Sequence, residues 1–227
     1  MIMNLFGGRG RGAEDDLPRE RGPLRLAIGH AVDIDTLSLQ SDLLGAEPAM
    51  GAPERGPFAG GAFVVEAHGV ASMDADTELH RYYDAEHRML QVLTPPGGGE
   101  ADVLDVSLYA PWDSVAPMGR AEWDRWTGPN GLIGAPRYDA DGIAFTRYWG
   151  EGEEHAPLVE FVEEVDDGEA RRSIHQRCML YARPVGRVEE MLLLNVERDL
   201  ADRSRSEGAS VEFLIGYGLG PAAIRRV

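Results

Sequence analysis

The sequence contains no lysine, so all 22 of its basic residues are arginine. Without a lysine ammonium group the chain cannot form a Schiff base with a carbonyl substrate or hold pyridoxal phosphate covalently. It also lacks the lysine with which a Walker-type loop reaches a nucleotide phosphate. These classes of cofactor and nucleotide chemistry are therefore excluded.

Cysteine and long hydrophobic runs are almost as scarce. Cys178 is the single cysteine, which rules out an intrachain disulfide framework and a cysteine-based zinc or iron–sulfur site. No run approaches the ~18 apolar residues of a membrane span, and the start of the chain lacks the apolar core of a secretory signal. These features predict a cytoplasmic protein with no direct membrane insertion.

Positive charge is in short supply, because 22 arginines face 39 acidic residues and the formal net charge is −17. Such an acidic surface repels nucleic-acid phosphates and anionic lipid. We therefore expect no nucleic acid among its partners. A protein partner with a basic surface, or a homo-oligomer, is the expected form of association.

A chain of 227 residues corresponds to one large or two small domains. The Gly-, Arg- and acid-rich residues 1–22 lack periodicity and are predicted to be a disordered tail. Residues 23–220 are predicted to form a single β-rich domain. Two β subdomains that divide near residues 111–136 are the alternative.

Short runs with a period of two, separated by Gly, Pro and Asp turns, dominate from residue 62 onward. They predict a mainly β fold: an antiparallel meander of about eight to ten strands in two packed or strongly curved sheets. Residues 111–136 carry three tryptophans (112, 123 and 126), and Arg120–Trp126 is predicted to be a short helix. The pattern at Val188–Arg203 fits both strand and helix, and the three tryptophans fit both core and surface.

Motifs for catalysis or metal binding are missing. The six histidines form no pair at metal-ligand spacing, and there is no GxSxG nucleophile elbow. This pattern favours a non-enzymatic binding or accessory protein with no cofactor and no metal. The alternative is a metal-dependent or hydrolytic enzyme that uses dispersed His and Asp/Glu residues brought together by the fold.

The segment His80–Asp84 combines Arg and Tyr, residue types that are favoured at binding hot spots. On a hairpin, Arg81 and Tyr83 project to one side and Gln91 faces them from the next strand. Together with Arg147, they form a candidate interaction surface, and Arg81 and Arg147 suit a small anionic ligand. A structural cluster that caps the sheet is the competing interpretation.

Several motifs resemble the YjfK-like family of bacterial proteins, a domain of unknown function. They are Glu66–Val70, Leu79–Asp84 with Met89–Gln91, Phe145–Trp149, Met179–Arg183 and Glu212–Gly216. The resemblance spans most of residues 24–219 and implies no catalytic residue and no cofactor. It does imply that the protein is encoded near phage-shock-type membrane-stress proteins, and hence that it has an accessory role in an envelope or membrane-stress system.

Overall fold

A computed structural model describes residues 21–150, 152, 154–202, 208 and 210–226. The predicted tail lies outside the described residues, except for Arg21 and Gly22.

Thirteen strands and two α-helices occur in the described part of the chain. The strands are β1 (Ala31–Ile34), β2 (Gly61–Val64), β3 (Ala67–Ser72), β4 (Glu78–Tyr83), β5 (Met89–Thr94), β6 (Asp105–Val115), β7 (Arg137–Ala140), β8 (Ile143–Arg147), β9 (Val159–Asp166), β10 (Arg171–Val185), β11 (Val188–Asp199), β12 (Val211–Gly218) and β13 (Ile224–Arg226). The helices are α1 (Leu37–Asp42) and α2 (Gly119–Thr127).

Eight of the strands close into an antiparallel barrel. Strands β3 to β6 form one four-stranded meander, and β9 to β12 form a second. The two meanders join along both edges, because β3 pairs with β9 and β6 pairs with β12. Each strand of the ring therefore has a neighbour on both sides, which satisfies the backbone groups that an open edge would expose.

Two smaller sheet elements extend this barrel. Strand β10 pairs with β9 over Arg171–Cys178 and then with β8 at Tyr181 and Ala182, so the β7–β8 hairpin continues the sheet beyond the end of β9. Separately, β1 pairs with β2 and with β13 in a three-stranded sheet. Strand β13 lies beyond residue 220, where the predicted domain ends.

Alternation along each strand divides its side chains between the barrel interior and an outer layer. On β4, Leu79, Arg81 and Tyr83 point inward, whereas His80 and Tyr82 point outward. Within the described ranges, the buried apolar residues of the interior all lie on barrel strands. The outward side chains pack instead against the helices, the small sheet and the β7–β8 hairpin. Both faces of most barrel strands are consequently buried.

The prediction of a mainly β, antiparallel fold is confirmed. The prediction of two sheets is roughly right, since a three-stranded sheet accompanies the main sheet. The main sheet, however, closes into a barrel, whereas packed or strongly curved sheets were predicted. Its closure depends on β3–β9 and β6–β12 pairing between segments far apart in sequence, which alternation does not report. The strand count exceeds the predicted eight to ten because β1, β2, β7 and β13 have four residues or fewer.

Two segments that the sequence pattern left open are resolved. Strand β11 covers most of Val188–Arg203. Its inward and outward side chains are both buried, which hides the alternation that distinguishes a strand from a helix. The predicted helix Arg120–Trp126 is α2, which extends one residue further at each end. Residues 111–115 are not part of this insert, because they belong to β6. Trp123 is buried in the outer layer, while Trp112 and Trp126 are half-buried against it.

No helix in the described ranges has the length and apolar character that crossing a bilayer requires.

Gly216 on β12 tests the packing of the interior. A methyl group at Gly216 would overlap the Tyr109 ring on the paired strand β6, and β12 lies between two strands and has little room to shift. We expect Gly216→Ala to lower the free energy of unfolding by about 1–3 kcal/mol, as overpacking does in other cores. The measurement is urea denaturation followed by circular dichroism.

Gly218→Ala is the matched control, because a methyl group at Gly218 meets no atom within 4 Å. Equal unfolding midpoints for the two variants would contradict this description of the interior.

Candidate binding site at the barrel mouth

A charged pair lies at the centre of the barrel. Arg81 on β4 is 2% exposed, and Glu163 on β9 is 0% exposed. The Arg81 Nη1 atom donates to Glu163 Oε2 at 3.1 Å. The guanidinium group also lies over the Phe161 ring, 5.2 Å from its centroid. A buried charge needs such a partner, because an unpaired charge in the interior has lost its hydration without compensation.

Neutral donors complete the surroundings of the Glu163 carboxylate. The Tyr83 hydroxyl donates to Oε1 at 2.7 Å, and the Gln176 side-chain amide donates to Oε2 at 2.9 Å. Gly69 on the neighbouring strand leaves the space that the carboxylate fills, since a methyl group there would overlap it. Glu163 is thus held by three donors, which explains how its charge is tolerated in the interior.

A second carboxyl group, Glu197 on β11, adjoins this network. Its Oε1 atom accepts hydrogen bonds from Asn195 at 3.1 Å and from Gln176 at 3.4 Å. Burial, and then the negative charge of Glu163, raise the pKa of Glu197 to about 7. Arg81 opposes this shift, but one arginine cannot neutralise two carboxylates, so Glu197 retains a proton close to neutral pH.

The mouth of the barrel holds a cavity of about 530 Å³. It opens where β5 and β12 end and where β6 and β11 begin, next to the residues that follow β8. Its lining residues are Gln91, Leu93, Asp105, Ser107, Tyr109, Tyr148, Trp149, Leu180, Val188, Glu189, Met191 and Gly218. Barrel mouths are a common location for small-molecule sites.

Gln91 connects this cavity with the charged pair. The Arg81 Nε atom donates to Gln91 Oε1 at 3.2 Å, so the amide group caps the interior network and faces the mouth. At the rim, the Ser107 hydroxyl donates to Asp105 at 2.8 Å. Asp105 and Glu189 are the charged residues among those that line the cavity, and both are acidic.

The structure divides the four residues of the predicted interaction surface among three places. Arg81 and Tyr83 are buried in the interior, and Gln91 lies at the mouth. The predicted pairing across the hairpin is confirmed, because Arg81 and Gln91 are direct cross-strand partners. Arg147 lies apart from them, on β8. A shared interaction surface stays a prediction, and contact with Arg81 or Tyr83 requires access to the interior.

Arg147 organises the loop that follows β8. Its Nη1 atom donates to the carbonyl oxygens of Gly134 and Glu154, both at 2.7 Å, and Nη2 donates to those of Gly150 and Gly152. The guanidinium group thus ties together backbone segments on either side of β8. The same loop carries Trp149 to the barrel mouth.

Glu163, Gln176 and Asn195 were not singled out from the sequence. A usable signal exists, because alternation places Glu163 between Phe161 and Val165 on a face that is otherwise apolar. A charged residue on such a face indicates a buried partner. Which residue that partner is depends on the β3–β9 pairing, which the sequence does not report.

Two of the six histidines, His68 and His80, form a buried stacked pair. His68 Nε2 and His80 Nδ1 lie 3.2 Å apart with stacked rings, and both side chains are buried beneath the Arg21–Gly22 turn. Burial, and then His80, lower the pKa of His68 to about 3. Among the described residues, no group of three or more His, Cys, Asp or Glu side chains is placed to hold a metal ion.

Replacement of Arg81 by Met tests the charged pair. The change leaves the Glu163 carboxylate buried without a cation, so we expect Arg81→Met to lower the free energy of unfolding by about 3–5 kcal/mol. The double variant Arg81→Met/Glu163→Gln should recover most of this loss, because the amide keeps hydrogen bonds with Tyr83 and Gln176. Urea denaturation of the two variants measures both effects.

Arg120→Met removes an arginine side chain that is 93% exposed and serves as the control. A loss in the Arg81 variant no larger than in this control, or no recovery in the double variant, would contradict a central role of the pair.

Replacement of Glu197 by Gln tests whether the Glu197 carboxyl group retains its proton close to neutral pH. The pKa of Glu197 is about 7 in the folded chain and close to 4.5 in the unfolded chain, so the folded state binds more protons between these values. The contribution of Glu197 to stability is therefore full below about pH 4.5 and is lost as the pH rises to about 7. We expect Glu197→Gln to remove this dependence and to be more stable than the wild type at pH 8.

His68 acts in the opposite direction, since its lowered pKa costs stability as the pH falls below 6.5. The quantity to compare is thus the difference between variant and wild type in urea unfolding midpoints from pH 5 to 8. Glu189→Gln, an exposed change on the same strand, is the control. A difference that does not vary with pH would refute the retained proton.

Comparison with known protein families identifies the family of this chain. Residues 1–225 match a family described as "Protein of unknown function (DUF2491)". Neither the curated proteins nor the solved structures contain a match to this chain. A domain of unknown function was predicted, and the family assignment confirms it, whereas the more specific YjfK-like name stays a prediction. Because the match extends over nearly the whole sequence, the chain belongs to the DUF2491 family of proteins of unknown function.

Proposed function

We propose that this protein is a non-enzymatic binding protein whose ligand occupies the barrel mouth. The observation that carries the proposal is the cavity of about 530 Å³ at this end of the barrel, where apolar walls meet a few polar groups. That combination is typical of small-molecule sites. The charged pair behind Gln91 fills the middle of the barrel, so the ligand enters only the mouth.

The lining residues indicate the chemistry of the ligand. Leu93, Leu180 and Met191 offer apolar surface, and Gln91 and Ser107 offer hydrogen-bonding groups. Of the described residues that line the cavity, Asp105 and Glu189 are acidic and none is basic, so an anionic ligand would be repelled. A small amphipathic molecule that is uncharged or positively charged fits these walls best.

An accessory role in an envelope or membrane-stress system rests on the family resemblance and stays a prediction. The same holds for a protein partner or a homo-oligomer, which rests on the net charge. The alternative, a metal-dependent or hydrolytic enzyme, is distinguished by elemental analysis of the purified protein. A stoichiometric transition metal whose removal lowers thermal stability would favour that enzyme.

Blocking the mouth tests the proposed site. The probe is prodan, an uncharged fluorophore whose emission reports an apolar environment. We expect saturable binding to the wild type, and a dissociation constant about tenfold higher or more for Gly218→Phe. Gly218 lines the cavity and has no atom within 4 Å of its Cβ position, so a side chain can leave the backbone there without a clash and the phenyl ring is expected to occupy the mouth.

Gly220→Phe is the matched control, since Gly220 also has open space but does not line the cavity. It should bind prodan like the wild type, and the anionic dye anilinonaphthalene sulfonate should bind more weakly than prodan. No saturable binding by the wild type, or equal weakening in both variants, would refute a ligand site at the mouth.

A further inference from the structure

A second cavity, of about 420 Å³, lies outside the barrel at the opposite ends of β6 and β12. None of the described residues lines both this cavity and the mouth. Its walls carry the aromatic side chains of Trp112, Trp126, Tyr138 and Phe213 and the carboxylates of Asp113, Asp139 and Asp141. We call it the aromatic–acidic cavity.

The aromatic rings of this cavity come from separate elements and meet at Phe213. Trp126 on α2 contacts Phe213 edge to face, with ring centroids 5.9 Å apart. Tyr138 on β7 lies at a tilt to Phe213, with centroids 6.0 Å apart. Both Trp126 and Tyr138 are half-buried, so these rings pack on the outer layer and still border open space.

A β-bulge in β6 directs two adjacent side chains toward the cavity. Phe213 pairs with Asp113 and Leu214 pairs with Pro111, which leaves Trp112 as the extra residue. In a regular strand, Trp112 and Asp113 would point to opposite faces. Here both line the cavity, because a bulge changes the direction of the side chains next to it.

The three carboxylates at the rim have no cationic partner among the described residues. Asp113 and Asp139 each use one oxygen to accept a backbone N–H, from Ser114 and Gly142 respectively, both at 2.8 Å. Neither of them, nor Asp141, forms an ion pair within the part of the chain that the structure describes. Burial, and then Tyr181 and the three aspartates, raise the pKa of Tyr138 to about 12, as expected in a negative potential.

We propose that the aromatic–acidic cavity binds the guanidinium group of an arginine side chain. A guanidinium is planar, so its face stacks on aromatic rings while its N–H groups donate to carboxylates at the edge. The cavity supplies both kinds of partner, and none of the described residues that line it is basic. This site is independent of the ligand proposed for the mouth.

The test uses two isosteric probes. N-acetylarginine methylamide carries the guanidinium, and N-acetylcitrulline methylamide replaces it with an uncharged urea of the same shape. The readout is the indole N–H signals of the four tryptophans in heteronuclear NMR. We expect the arginine probe to shift the signals of Trp112 and Trp126 saturably, and the citrulline probe to leave them in place.

The other tryptophans locate the binding. Trp149 lines the mouth, so a shift confined to Trp149 would place the cation there and overturn the proposal. Equal effects of the arginine and citrulline probes, or no effect of either, would also overturn it. Ethylguanidinium tests the source of the group. Weaker binding than that of the arginine probe supports an arginine within a peptide chain, whereas equal binding would overturn the arginine side chain as the occupant and point to a free guanidinium compound.

Charge-removing variants complete the test. Asp113→Asn/Asp141→Asn keeps the shapes of the side chains and removes two of the rim charges, so we expect the dissociation constant for the arginine probe to rise about fivefold or more. Asp74→Asn/Asp76→Asn removes the same charge from the exposed β3–β4 turn and should leave binding unchanged. If both double variants raised the dissociation constant equally, the binding would depend only on the net charge of the protein, and the proposed site would be refuted.

Discussion

The Arg81–Glu163 pair is the interaction on which the barrel interior depends. It joins β4 of one meander to β9 of the other, at a depth where neither charge reaches water. Tyr83 and Gln176 satisfy the carboxylate, and Gly69 makes room for it. Such a pair gains little net stability over apolar packing, but either charge without the other is costly. It therefore disfavours any closure of the barrel that separates these two strands.

Closure also explains the outer layer. A barrel whose strands carry apolar residues on both faces must cover its outside as well as fill its inside. The small sheet, the two helices and the β7–β8 hairpin provide that cover. The outer layer is thus as much a part of the hydrophobic core as the barrel interior. Its loop after β8 places Trp149 at the mouth, and its helix α2 places Trp126 beside β12.

The two cavities differ because opposite ends of β6 and β12 contribute to them. At the mouth, the beginning of β6 places Asp105 and Ser107 beside apolar side chains from β10 and β11. At the other end, the bulge turns Trp112 and Asp113 toward α2 and β7. One pair of strands therefore contributes to an amphipathic pocket at one end and to an aromatic–acidic cavity at the other.

The sequence by itself determined the features that depend on near neighbours. Alternation and turn residues predict the antiparallel strands, helix α2 and the cross-strand pair of Arg81 and Gln91, because these involve residues close in the chain. Tertiary structure decided the rest. Alternation shows that Arg81 and Tyr83 share a face, but it does not distinguish inside from outside when both faces are covered. Only the β3–β9 pairing brings Glu163 to Arg81. No local pattern encodes that long-range contact, which places Arg81 and Tyr83 at the centre of the barrel.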